Sequence, residues 1–159
     1  MGAEHDDDVA LNAGAAYVFE RQGSEWTQIA KLVAADGAEL DLFGCSVAIR
    51  GPIAIVGASG EDVGNPETGA VYVFYETPTG WVQAAKLVDP VTPFKVIGWR
   101  VSFSEDRLAV SSLGSIYVYD FVPVVLSSLV TDVEQLSVSL GGVQSLSSRR
   151  GRSTRACRT

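Results

Sequence analysis

Histidine occurs once in the 159 residues, as His5, flanked by Glu4 and by Asp6, Asp7 and Asp8. A lone imidazole in so acidic a stretch reads as a surface residue, so histidine-based proton transfer or nucleophile activation has no centre. No Gly-x-Ser-x-Gly elbow, no Gly-x-Gly-x-x-Gly turn before a helix and no Gly-Lys-Ser/Thr phosphate loop is present. The chain reads as non-catalytic. Cysteine is scarce too. Cys45 lies in a strand-like run and reads as a small buried hydrophobe, while Cys157 lies in an irregular tail. Two such cysteines do not specify a disulfide framework or a redox compartment. No stretch reaches the about 18 apolar residues that a membrane span needs. The mostly apolar run 121–130 is short and contains Pro123, and the acidic start lacks the apolar core of a secretory signal.

Positive charge is missing from most of the chain. All 19 acidic residues fall between Glu4 and Glu134, and only seven of the 12 basic residues share the first 148 positions, for a net charge of −12 there. Such a body repels nucleic acid and anionic membranes. The remaining five are Arg149, Arg150, Arg152, Arg155 and Arg158.

What the sequence has in abundance is glycine (16 residues) and short runs of Val, Ala, Tyr and Phe, the composition of an all-β chain with tight turns. These runs repeat. Gly14-Ala15-Ala16-Tyr17-Val18-Phe19 returns 55 residues later as Gly69-Ala70-Val71-Tyr72-Val73-Phe74. At the same shift Trp26 returns as Trp81, Gln28-Ile29-Ala30-Lys31-Leu32-Val33 as Gln83-Ala84-Ala85-Lys86-Leu87-Val88, and Gly2-Ala3 as Gly57-Ala58. Phe43-Gly44 then matches Ile97-Gly98 with a slip of one residue, and aligning Ile53-Ala54-Ile55-Val56 with Leu108-Ala109-Val110-Ser111 predicts that the slip is recovered. Gly114-Ser115-Ile116-Tyr117-Val118-Tyr119 is a third copy of the aromatic strand.

One period holds four strand-like segments, near 45–49, 53–58, 70–75 and 81–87, separated by turn formers such as Arg50-Gly51-Pro52. Four strands in about 45–55 residues is the size of one propeller blade. No apolar stripe at helical spacing runs through the repeats, which excludes a helical solenoid. The aromatic pairs Tyr17/Phe19, Tyr72/Phe74 and Tyr117/Tyr119 each point to one face of a strand, as interblade core residues would. Trp26 and Trp81 open the last strand of their blades, where a large ring can seal an edge.

Phe43-Gly44, the nearly matching Gly57-Ala58-Ser59, the aromatic strand and the Trp-x-Gln-x-Ala-Lys-Leu strand resemble the FG-GAP repeats of integrin α-type propellers. The resemblance covers about residues 2–121. It implies a seven-bladed propeller used in adhesion and protein recognition, and an extracellular or cell-surface setting.

The fold expected is therefore an all-β, incomplete β-propeller of four-stranded antiparallel blades. Residues 1–121 carry the repeats: a partial blade over 2–33, a full blade over 43–88 and a partial blade over 97–121. Residues 122–159 form a non-repeat Ser/Arg-rich tail with a short amphipathic segment over 126–140 and disorder from about 141. Open blade edges would be templates for self-association.

Candidate ligand-binding residues lie in two acidic loops between the second and third strands of a blade. Asp6, Asp7 and Asp8 occupy the first, and Glu61, Asp62, Asn65 and Glu67 the second. Clustered carboxylate and amide oxygens suit calcium, and the competing reading is a solvated loop. The family's own calcium site, an alternating Asp-x-Asp-x-Asp-Gly loop between the first and second strands, does not carry over, because Arg50-Gly51-Pro52 and Ser104-Glu105-Asp106-Arg107 stand there. Asp36, Glu39 and Asp41 read as a solvated connection between blades. The function expected is a non-catalytic binding or adhesion-type module that recognises a protein or glycan through its loops. The alternative is a propeller segment of a larger hydrolase or lyase whose catalytic residues lie outside this chain.

Overall fold

The computed structural model describes residues 1–62, 68–88, 96–104, 107–121 and 140–147. The described residues contain strands and no helix, arranged in three antiparallel sheets. The first sheet has the order β1 (Gly2–Ala3), β2 (Ala15–Gln22), β3 (Glu25–Leu32). The second runs β4 (Phe43–Arg50), β5 (Ile53–Ala58), β6 (Ala70–Thr77), β7 (Gly80–Leu87). The third contains β8 (Val101–Phe103), β9 (Arg107–Ser112), β10 (Ser115–Phe121) and β11 (Leu140–Ser147), again each paired to the next.

No sheet buries its apolar residues alone. One core joins the first and second sheets through Val18 and Leu32 on one side and Phe43, Val56, Tyr72 and Phe74 on the other. The ring of Phe43 meets those of Tyr72 and Phe74 edge-on, at 5.3 and 5.9 Å, the favoured aromatic geometry. A second core joins the second and third sheets, with Ile53, Ile55, Val71 and Val73 against Leu108, Val110 and Tyr117. Strand β5 lies between both cores and is buried along its whole length. Its alternate residues serve opposite faces, Ala54 and Val56 the first core, Ile53 and Ile55 the second. This is why it reads as an unbroken apolar run.

The aromatic pairs act as the sequence predicts where a neighbouring sheet covers them. Tyr72 and Phe74 are buried, Tyr117 is buried with Tyr119 packed beside it, and Tyr17 and Phe19 are half-buried. Trp81 packs against the first core, whereas Trp26 is 64% exposed. Cys45 is a half-buried free thiol whose Sγ lies 3.4 Å from the carbonyl of Gly98.

Backbone contact between neighbouring sheets explains the recurring glycines. A Cβ on Gly2 would lie 2.0 Å from the carbonyl oxygen of Gly44, and one on Gly57 would lie 2.0 Å from that of Gly98. Each Gly-Ala strand of one sheet therefore rests on the aromatic- or Ile-preceded glycine of the next. Single parallel bridges, Gly14 to Phe43 and Gly69 to Ile97, extend the seam. The Phe43 and Ile97 amides donate across it to the carbonyls of Ala13 and Thr68, at 3.0 and 2.9 Å.

Two expectations change. The one-residue slip is not recovered within β9. Val47 faces Val56 and Val56 faces Tyr72 in the second sheet; Val101 faces Val110 and Val110 faces Tyr117 in the third. Val110 is thus the counterpart of Val56, and Leu108 that of Ala54. A one-residue error of register exchanges the faces of a strand, and the pairing above puts Leu108 and Val110 in the core. Disorder from about residue 141 is also overturned, because 140–147 form β11 in the fourth-strand position of the third sheet. Adding a strand to an edge uses backbone groups, so no Trp-x-Gln motif is required there. The segment 126–139, the arginines from 149 onward and Cys157 lie outside the described residues.

Candidate functional site

The connections at one end of the first two sheets form a continuous surface. The β1–β2 loop, the β3–β4 connection and the start of the β5–β6 loop are tied by backbone hydrogen bonds. The amides of Leu40 and Leu42 donate to the carbonyls of Leu11 and Asn12 at 2.9 and 3.1 Å, and the Gly60 amide to that of Asp41 at 3.0 Å. Both acidic loops close the same way. Gly14 donates to the Asp6 carbonyl at 2.9 Å, and Gly69 donates to the Glu61 carbonyl at 2.8 Å.

Beneath each loop sits the same trio of side chains, 55 residues apart. In the first sheet the Tyr17 hydroxyl donates to Asp6 at 2.6 Å, and the Lys31 ammonium donates to both Asp6 oxygens at 2.9 and 3.1 Å and to Asp8. In the second, the Tyr72 hydroxyl lies 3.0 Å from Glu61 and 3.0 Å from Asp36, and Lys86 reaches Glu61 at 2.9 Å and Asp36 at 2.6 Å. Each ammonium also lies over its tyrosine ring, at 5.5 and 5.2 Å. Strand register creates the trio, since Tyr17 faces Lys31 and Tyr72 faces Lys86 across adjacent strands. The third sheet does not repeat it: Tyr117 faces Ser145, and only a tight turn joins β9 to β10.

The electrostatics follow the geometry. Hydrogen bonds from Tyr17 and then Lys31 hold the Asp6 carboxyl below its ordinary range, while Asp8 and Asp6 raise the Lys31 ammonium well above its own. Burial opposes ionisation of Asp36, but Lys86 and Tyr72 outweigh it and lower the carboxyl. Burial likewise opposes the charge of Lys86, and Asp36 and Glu61 outweigh it. Tyr72 is raised, by burial first and then by the charge of Glu61.

Asp41 is the exception. It is 4% exposed. Burial, and then the neighbouring charge of Glu61, push its carboxyl from 3.8 up to about 6. One of its oxygens accepts the Ala38 amide at 2.6 Å. The folded state therefore holds a proton on Asp41 between about pH 4 and 6 that the unfolded chain has released, and stability falls as pH rises through that window. The lowered carboxyls of Asp6 and Asp36 act in the opposite sense and below pH 4. Replacing Asp41 by Asn keeps the acceptor for Ala38 and removes the charge. Asp41→Asn should raise stability at pH 7 by about 3 kcal/mol, since each tenfold change in proton affinity is worth roughly 1.4 kcal/mol, and change little at pH 4. Urea unfolding at the two pH values measures this.

Of the candidate calcium ligands, Asp6 and Asp8 meet on Lys31, and Glu61 lies on Lys86. Asp6 and Glu61 point inward onto lysines. Asp8 shares Lys31, and Asp7 accepts the Asn12 amide at 2.6 Å. Asp62 begins the second loop, and Asn65 and Glu67 lie outside the described residues. Among the described residues no group of three or more histidine, cysteine or carboxylate side chains is arranged to hold a metal ion. An ammonium sits where a cation would neutralise these carboxylates. Addition of millimolar calcium after EDTA is therefore expected to leave the melting temperature unchanged to within about 1 °C, since only an ion that binds the folded state raises it.

Sequence reasoning missed Lys31 and Lys86 as partners of the acidic loops, and it read Asp41, which is buried, as solvated; Asp36 is exposed as expected but pairs with Lys86. The signal was available: an acid, a tyrosine and a lysine all recur at the same 55-residue shift.

No helix among the described residues is long and apolar enough to cross a membrane. The family model of the FG-GAP repeat matches residues 26–74. No curated protein and no solved structure matches the chain significantly. The matched stretch runs from β3 of the first sheet to β6 of the second, across the glycine seam described above. Over residues 26–74 the chain matches the FG-GAP repeat, and the array of antiparallel sheets in which they lie has the architecture of a partial β-propeller.

Proposed function

We propose that this chain is a non-catalytic, adhesion-type binding module whose loop face recognises a protein partner. Leu40 carries this reading. It is 53% exposed and holds a φ of 67°, a left-handed conformation that is costly for a leucine. A glycine or asparagine would relieve the strain at a solvent-facing position. The leucine therefore serves something other than folding. Beside it on the same face are Leu11, 55% exposed, and Val9, 50% exposed. Val9 approaches within about 4.0 Å of the place a Cβ on Gly37 would take. Acidic residues, Asp7, Asp8 and Glu39, lie on the same connections as these apolar residues. An apolar patch on acidic connections suits a partner with an apolar knob and basic neighbours. The buried titratable groups beneath the face are committed to one another, which supports a structural role for them and a binding role for the surface.

The test is to immobilise the chain and present it with a glycan array and a panel of purified extracellular proteins of acidic and basic isoelectric point. The comparison is with the Leu11→Asp/Leu40→Asp double variant. Saturable binding of a basic protein, weakened at least tenfold by the double variant at unchanged circular dichroism, is the expected result. Binding that the variant leaves intact, binding of glycans alone, or no binding by either chain would each refute the reading.

A further inference from the structure

We infer that Asp41 makes the loop face a proton-operated latch: with its carboxyl protonated, the connection 33–42 stays pinned between the two acidic loops, and with its carboxyl ionised the connection is released, and Leu40 with it. The latch is a property of the fold. Only its consequence for a partner rests on Leu40 being a contact residue, as proposed.

The balance of charge sets the latch. Three carboxyls, those of Asp36, Asp41 and Glu61, gather about the single ammonium of Lys86. Lys86 pairs with Asp36 and Glu61, whereas Asp41 receives the Ala38 amide in place of a cation. Asp36 keeps access to water, since its side chain is 49% exposed. Asp41 and Glu61 do not, at 4% and 8% exposed. Two neighbouring buried carboxylates repel one another, and the one without a cation holds its proton. The first sheet has no such excess, because Asp6 and Asp8 share Lys31 and Asp8 is 78% exposed. The other charged or titratable groups on the elements packed around Asp41 are Tyr72 on β6, Glu39 on its own connection and Asp62 after Glu61. The β1–β2 loop adds Glu4, Asp6, Asp7, Asp8 and His5, whose ring lies 3.0 Å from Asn12.

The backbone turns this carboxyl into a mechanical device. Asp41 lies between Leu40 and Leu42, whose φ angles are 67° and 55°. Left-handed leucines are costly and persist only where the surroundings hold them. Here they are held by three bonds to other loops. The Leu40 and Leu42 amides reach the Leu11 and Asn12 carbonyls, and the Asp41 carbonyl accepts the Gly60 amide. A Cβ on Gly60 would lie 2.0 Å from the Leu40 carbonyl oxygen, so the second loop rests directly on this backbone. The contacts that fix both leucines therefore converge on residue 41. Once ionised, Asp41 is stabilised by reaching water, and the motion that exposes it breaks these bonds and relaxes both leucines. The open connection binds the Asp41 proton as an ordinary carboxyl does, and the closed one binds it more tightly. The closed form accordingly loses ground as pH rises from about 4 to 6, and no further above that.

Amide hydrogen exchange of the ¹⁵N-labelled full chain at pH 4 and pH 7, corrected for the intrinsic pH dependence of exchange, tests the latch. It needs no partner, so it fails or holds separately from the reading of the loop face as a binding surface. Protection of the Leu40, Leu42 and Gly60 amides should fall about 100-fold from pH 4 to pH 7, tenfold for each of about two pH units. At both pH values it should lie at least tenfold below the protection of the Val56 and Val73 amides in the cores, which marks a local opening and not global unfolding. In Asp41→Asn the same three amides should change less than about threefold between the two pH values. That comparison removes the contribution of every other titrating group, His5 included. The inference is overturned if the three amides are as protected as the core amides, if their protection does not fall with rising pH, or if Asp41→Asn shows the same fall as the unaltered chain.

Discussion

Gly57→Ala should destabilise the chain by at least about 3 kcal/mol, the upper end of what overpacking costs. The added methyl would sit 2.0 Å from the carbonyl oxygen of Gly98 and 2.4 Å from Ser46 Oγ. Side chains can swing aside. The Gly98 carbonyl cannot, because it belongs to the next sheet and already accepts the Ser46 hydroxyl at 2.7 Å. Relief requires the second and third sheets to separate, and that separation opens the core built on Ile53, Ile55, Val71 and Leu108. Small domains have only about 5–15 kcal/mol of stability in total, so the loss should appear as a large drop in the urea midpoint and in loss of soluble protein. Gly51→Asn is the comparison. Gly51, unlike Gly57, has a positive φ, 52°, but a Cβ there meets nothing within 4 Å. Asparagine tolerates that conformation, so a change of about 1 kcal/mol or less is expected. If both variants lost the same stability, the seam would not be the reason for the glycine at 57.

This seam also shows why the fold was legible from sequence and parts of it were not. Backbone contact between neighbouring sheets imposes glycine at the same place at both interfaces, and burial imposes aromatic and β-branched residues on the strands between. Both constraints act on single positions, so Gly2/Gly57, Gly44/Gly98 and Tyr17/Tyr72/Tyr117 are visible as a repeat. The register of β9 was misread because Leu108-Ala109-Val110 resembles Ile53-Ala54-Ile55 as well as it resembles Ala54-Ile55-Val56, and only pairing with Tyr117 decides between them. Strand β11 was invisible because its place is held by main-chain pairing. Of the candidate site, the acidic loops were legible and their partners were not. Lys31 and Lys86 lie at the far end of the next hairpin in sequence, and only the register that sets Tyr72 opposite Lys86 brings ammonium to carboxylate. The burial of Asp41 depends on the Gly60 amide pulling the second loop over it, a contact without a sequence pattern.

Lys86→Met should destabilise the chain by about 2–3 kcal/mol at pH 7. Breaking a fully buried ion pair costs about 3–5 kcal/mol. Here the lysine side chain is 21% exposed and that of Asp36 49%, which reduces the loss, while Glu61 at 10% has little access to water. Methionine keeps most of the apolar stem of the lysine, so the loss is chiefly electrostatic. Without the ammonium, Glu61 and Asp36 repel one another around the Tyr72 hydroxyl, and Glu61 also repels the buried Asp41. The carboxyls of Asp36 and Asp41 must then titrate at higher pH in the folded state. The penalty of the variant is therefore full at pH 7 and shrinks as pH falls toward 4, where the folded state takes up protons more readily than the unfolded chain. Lys31→Met should cost less than half as much, because Asp8 is 78% exposed and Asp6 keeps its hydrogen bond from Tyr17. The decisive comparison adds Glu61→Gln to Lys86→Met. Glutamine still accepts from Tyr72 and carries no charge, so the double variant should regain most of the stability at pH 7 and lose the pH dependence of the single one. If the double variant were no more stable than Lys86→Met, the lysine would matter for packing over the Tyr72 ring, and the balance of charge beneath the loop face would not be what holds the second loop in place.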